Sequence, residues 1–211
     1  MTDSQLLQQI AKKESDKETI AAKVVDQPEL LSEIFEGLNS DQANIKYGCD
    51  KILRLISEKA PALLYSKFDF FVNNLNSENN FFKWGAIHIL ANLAAVDSEN
   101  KFEKIFDKYF APLPGPVLIT AANLINGAAK IALAKPHLAE RIARALLQVE
   151  KAKYQNAECR NIALGLVIKS VDQFFGQIND KEPMIKLVRR QLKNSRNATQ
   201  KVAEKFMKKK L

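Results

Sequence analysis

Short runs of this 211-residue chain return at fixed distances, and that regularity limits its fold more than any single residue does. Leu38-Asn39-Ser40 recurs as Leu75-Asn76-Ser77, a shift of 37, and Tyr47-Gly48-Cys49 recurs as Trp84-Gly85-Ala86 at the same shift. Leu192-Lys193-Asn194-Ser195 begins 117 residues after Leu75, which is three periods of 39. A unit of this length cannot bury its own apolar face, so successive units must stack on one another.

Each period reads as two helices, called A and B below. Pro28 opens PELLSEIFEGL, where Leu30, Leu31, Ile34, Phe35 and Leu38 follow the i, i+3, i+4, i+7 spacing of one helix face. Proline is tolerated in a first helical turn because its missing N–H would have had no partner there. Asn39-Ser40 then ends helix A and can cap helix B, which follows over 45–56. The second unit runs from Pro61 to Leu75 and then over 82–93; the third over 100–111 and 117–134, separated by the Pro- and Gly-containing segment 112–116. The fourth runs from Pro136 to about Ala152 and then over 159–170, and the fifth pairs 182–194 with 198–209. Residues 1–27 form an N-terminal capping segment in which Ser15 and Glu18 are spaced as a capping box. The expectation is one all-α domain over 1–211, an α-α superhelix of about five helix pairs over 28–211 behind that cap.

The B helices carry a shared pattern: an apolar residue, a basic one, a small one three positions later, then an apolar pair. It stands as Ile45-Lys46…Cys49…Ile52-Leu53, as Phe82-Lys83…Ala86…Ile89-Leu90 and as Cys159-Arg160…Ala163…Leu166-Val167. The last unit follows it loosely as Thr199-Gln200…Ala203…Phe206-Met207, and the third departs from it with Thr120 and Asn123. This pattern resembles the HEAT/armadillo-like helical repeats over most of 28–211. The resemblance implies a solenoid whose concave B-helix face binds a partner. It fixes a fold and assigns no function by itself.

Composition narrows the remaining classes. Hydrophobic residues at 46% and charged residues at 27% are globular values. Cys49 and Cys159 stand far apart, with no CxxC and no histidine cluster, which fits a reducing cytoplasm and neither zinc nor disulfides. Both are expected as small buried residues. The first thirty residues carry charges throughout and show no apolar core for an export signal. The most apolar stretch, 116–134, contains Asn123, Asn126, Gly127 and Lys130, so it reads as a covered helix and not as a membrane span. No GxSxG, Gly-rich phosphate loop or partnered histidine is present, so the reading is of a protein that is not an enzyme and needs no cofactor.

Function is expected on surfaces. Lys46, Lys83 and Arg160 share one repeat position and form a candidate basic ladder, with Asp41 and Glu78 as alternative partners that would tie the lysines to the preceding turn. Trp84 is the candidate exposed aromatic beside Lys83. Residues 181–211 hold 11 basic and 2 acidic residues, a charge of +9, whereas 1–180 carry −1. Arg189, Arg190 and Lys193 are the candidate contacts of that basic end. The leading expectation is a scaffold for a protein or peptide; the alternative is a nucleic-acid binder using the basic end. In size, fold and basicity the chain also resembles bacterial alkylpurine DNA glycosylases built from HEAT-like repeats. Those enzymes use concave-face tryptophans, an aspartate and an arginine, and with Trp84 as the sole tryptophan no residue carries over.

Overall fold

Apolar residues at helical spacing between turn-forming Asn, Ser and Pro leave each segment one course, which is to fold as a helix and lay its apolar stripe on a neighbour. The computed structural model describes residues 4–210, and their regular structure is helical throughout. The helices gather into two compact units, the first ending at Glu99 and the second beginning at Asn100.

The first unit contains α1 (Gln5–Ala11), α2 (Lys17–Asp26), α3 (Leu31–Gly37), α4 (Ala43–Lys59), α5 (Ala62–Tyr65), α6 (Phe68–Asn74) and α7 (Asn80–Leu93). The B helix α4 lies between α2 and α7, and α1, α3 and α6 pack as A helices against that layer. The capping segment is therefore a helix pair, with α2 in the B layer. Its capping residue differs from the expected one. Asp16, in extended backbone, accepts from the amides of Glu18 and Thr19 at 2.9 and 3.3 Å, while the Ser15 hydroxyl is buried without a partner. A carboxylate that takes two orphan amides and the Thr19 hydroxyl together leaves nothing for Ser15 to cap.

The repeated Leu-Asn-Ser run has a common structural cause. Leu38 and Leu75 are buried under their units, and Ser40 and Ser77 each accept the amide two residues on, from Gln42 and Asn79, both at 3.2 Å, which closes the turn. The expected capping of helix B by Asn39-Ser40 does not occur, because α4 starts after Gln42 with no side-chain cap. In the third copy Asn194 takes over, accepting from the Arg196 amide at 2.8 Å. The expected helix from Pro61 to Leu75 is broken in two, because Lys67 leaves the helical region at φ −102° and ψ 15°. Leu64, Phe68 and Phe71 still reach the core from either side of the break.

The second unit contains α8 (Lys101–Phe110), α9 (Leu118–Ala134), α10 (Ala139–Leu147), α11 (Ala157–Phe174), α12 (Glu182–Gln191) and α13 (Asn197–Lys210). Here α11 lies between α9 and α13, and α10 packs on α9, α11 and α12. The segment between α8 and α9 turns at Gly115, whose φ of +118° suits glycine, and is stitched to the α10–α11 connection. The Lys153 amide donates to the Pro114 carbonyl at 3.0 Å and the Tyr154 hydroxyl to the Leu113 carbonyl at 2.6 Å.

Mid-helix glycines mark where a neighbouring helix approaches a B helix closely. A Cβ on Gly48 would meet the Ile10 side chain of α1 at 2.6 Å, and one on Gly85 would run into the Asp50 carboxylate of α4. The close neighbour of Gly85 is thus the preceding B helix, α4. Asp50 is itself buried, and burial pushes its carboxyl up to about 6, only partly offset by Arg54, whose Nε lies 3.2 Å away.

Candidate binding surface

In the first unit the candidate ladder falls at the N-terminal ends of α4 and α7. Asn79 caps α7 by accepting from the Phe81 amide at 3.0 Å and donates its side-chain amide to the Tyr47 hydroxyl at 3.2 Å. That one residue fixes the start of α7 beside α4. Around it the Tyr47 and Phe81 rings stand 4.7 Å apart, and Phe81 meets Trp84 edge-on at 5.8 Å. Trp84, expected to be the exposed aromatic, is half-buried, and Phe81 lies outside it with 53% of its surface exposed. Phe81 had no distinguishing signal in the helix pattern, but its counterpart 37 residues earlier is Asn44, a polar, exposed position.

Lys46 and Lys83 precede Tyr47 and Trp84 in the sequence, and both are half-buried. No ion pair joins Lys46 to Asp41 or Lys83 to Glu78 among the described residues. The serine hydroxyls already hold each turn, and the two acids stay exposed in solvent. The ring contacts bring Trp84 together with Tyr47 through Phe81 where α4 and α7 begin, and Lys46 and Lys83 stand next to Tyr47 and Trp84 in the sequence.

In the second unit much of the basic end is committed to its own chain. Arg190 grips Glu150 through two hydrogen bonds of 2.7 and 2.6 Å, and this pairing raises its guanidinium further. Arg196 pairs with Glu158, and Lys209 and Lys210 hold Asp172 at 2.9 and 3.2 Å. Burial alone would raise the Asp172 carboxyl, but the two lysines outweigh it and hold it below the usual value. Further up the unit, Arg141 reaches Asp107 at 2.7 Å, and Lys135 and His137 reach Glu103 at 3.0 and 2.8 Å. In each case a basic residue of one helix pair reaches back to an acid of the pair before it. The charge excess of 181–211 is thus partly the other half of acids at 150, 158 and 172. Among the described residues Arg160, Arg189 and Lys193 make no such pair, and Arg189 and Lys193 are exposed.

Cys49 is buried, and burial pushes its thiol up to about 12, which removes it as a nucleophile at neutral pH. Cys159, expected to be buried as well, is half-exposed near the start of α11, where the first turn still faces outward. Among the described residues no group of three or more His, Cys, Asp and Glu is placed to hold a metal ion, and no helix is long and apolar enough to cross a membrane.

Paired helices with B packed on B define a HEAT-like helical repeat. One solved chain with this fold belongs to the structure described as "Structure of the Pds5-Scc1 complex and implications for cohesin function". The two superpose with a TM-score of 0.57 at 12% sequence identity, over 89% of this chain and 29% of that one. This protein therefore spans under a third of the length of that chain, and the likeness is one of fold. No protein-family model matches the sequence, and no curated protein matches it.

Proposed function

We propose that the protein is a helical-repeat scaffold that binds a protein segment along its B-helix face, with the Tyr47–Phe81–Trp84 ridge as one contact. The observation that carries this reading is Phe81, a large aromatic side chain left 53% exposed where α4 and α7 begin, near two lysines that make no ion pair among the described residues. Aromatic rings ringed by polar groups are the usual anchors of protein interfaces, because they add contact area at small entropic cost. Lys46 and Lys83 would orient an acidic or carbonyl-rich partner across the ring. The fold likeness supports a scaffold in general; the partner and the face are this proposal's own.

The test places a photo-crosslinking phenylalanine analogue at Phe81 and irradiates the protein in lysate of its source cell. The expected product is a discrete protein adduct that survives nuclease, and Lys46→Glu with Lys83→Glu should reduce its yield about tenfold. An adduct removed by nuclease would transfer the ridge to nucleic-acid binding. Absence of any adduct would remove the ridge as a site.

A further inference from the structure

We infer that the groove between α11 and α13 takes a short acidic protein segment bearing one apolar side chain. The groove measures about 260 Å³ and is bounded by Ile168, Lys169 and Asp172 on α11 and by Val202, Lys205 and Phe206 on α13. Its floor is apolar: Ile168 and Phe206 are buried and Val202 is half-buried between them and solvent. Its rim is cationic. Lys169 and Lys205 are exposed on opposite walls, and Lys201 and Lys208 lie about one turn to either side of Lys205 on α13. None of these four lysines makes an ion pair among the described residues. Two of them share a repeat register with a third lysine, since Lys130, Lys169 and Lys208 stand 39 residues apart on three successive B helices.

The acids at the groove do not cancel this charge. Asp172 is already held by Lys209 and Lys210, which leaves Glu204 alone against the four lysines. The same two acids interrupt the cationic strip, as a continuous phosphodiester track would not tolerate well. Two of the nearby arginines, Arg190 and Arg196, whose forks suit bidentate phosphate recognition, are already paired with Glu150 and Glu158. Lysine walls over an apolar floor instead match carboxylates flanking one apolar side chain.

This inference deepens the scaffold reading and rests on it, but its test is separate from the Phe81 crosslink. The full chain is titrated at about 50 mM salt, where electrostatic contacts are strongest, against three labelled probes. These are a peptide with one leucine between runs of glutamate, the same peptide with alanine for leucine, and a single-stranded oligothymidylate. The leucine peptide should bind best, the alanine peptide about tenfold more weakly, and the combined Lys169→Glu and Lys205→Glu variant about tenfold more weakly again. Lys104→Glu, on an exposed position of α8, should leave binding unchanged and serves as the charge control. Equal binding of the two peptides, tighter binding of the oligonucleotide, insensitivity to the α11–α13 reversals, or no peptide binding would each overturn the inference. A failed titration beside a successful Phe81 adduct removes the groove alone, and the reverse pattern removes the ridge alone.

Discussion

Gly85→Leu is expected to lower the melting midpoint by roughly 3–10 °C, from an overpacking cost of roughly 1–3 kcal/mol. Even a methyl group at Gly85 meets the Asp50 carboxylate, and both residues are buried between α4 and α7. The leucine must therefore push apart two B helices whose packing holds the first unit together. Gly176 is the control: nothing lies within 4 Å of an added Cβ, so Gly176→Ala should leave the midpoint in place. If the contact with Asp50 is the cause, Asp50→Ala should partly rescue Gly85→Ala in a double-mutant cycle. A midpoint that stays constant or rises in Gly85→Leu would show that the two helices do not meet there.

Stability is also expected to fall as pH rises from about 4 to about 6, through the same carboxylate. Asp50 has an ordinary value of 3.8 and is raised to about 6 in the folded protein, chiefly by burial. Between those values the folded state binds more protons than the unfolded state, so each step up in pH favours unfolding. The stabilisation is complete below the lower value and is lost by the upper one. The difference corresponds to about 3 kcal/mol, as an order of magnitude. Asp16 and Asp172 act with the opposite sign: both are held below their ordinary values, so their contributions disappear only as pH falls below about 4. Asp50→Asn keeps the shape of the side chain and removes its charge, leaving Arg54 partly exposed to water. The variant should match the wild type near pH 4, exceed it in melting midpoint near pH 8, and lose the intervening slope. A wild-type midpoint with the same pH profile as the variant would rule out a buried, charged Asp50.

The candidate site was only partly legible in the residues. The 37-residue shift places Lys46 with Lys83 and points to the edge where α4 and α7 begin, because register along a repeat is a one-dimensional property. It could not rank Trp84 against Phe81. Both lie in the same apolar run, and their exposure depends on where Tyr47 of the neighbouring helix sets its ring. At the basic end the nine excess charges were countable, yet Arg189 and Arg190 are indistinguishable as neighbours in a sequence. Both are exposed, but Arg189 makes no ion pair among the described residues while Arg190 is locked on Glu150, a residue 40 positions away.

What the sequence determined by itself was the helical-pair architecture, its period, and the place of the turns at the Leu-Asn-Ser runs. These depend on interactions within a few residues: apolar spacing along a helix, and a serine hydroxyl reaching an amide two positions on. Tertiary structure alone decided that Asp16 and not Ser15 caps α2, that the helix after Pro61 breaks at Lys67, and that Gly85 receives a buried carboxylate from α4. It also decided which basic residues reach back to the acids of the preceding pair. Each of these outcomes turns on which side chains meet once helices 30 to 40 residues apart in sequence lie against one another, at distances of about 3 Å that local spacing does not encode.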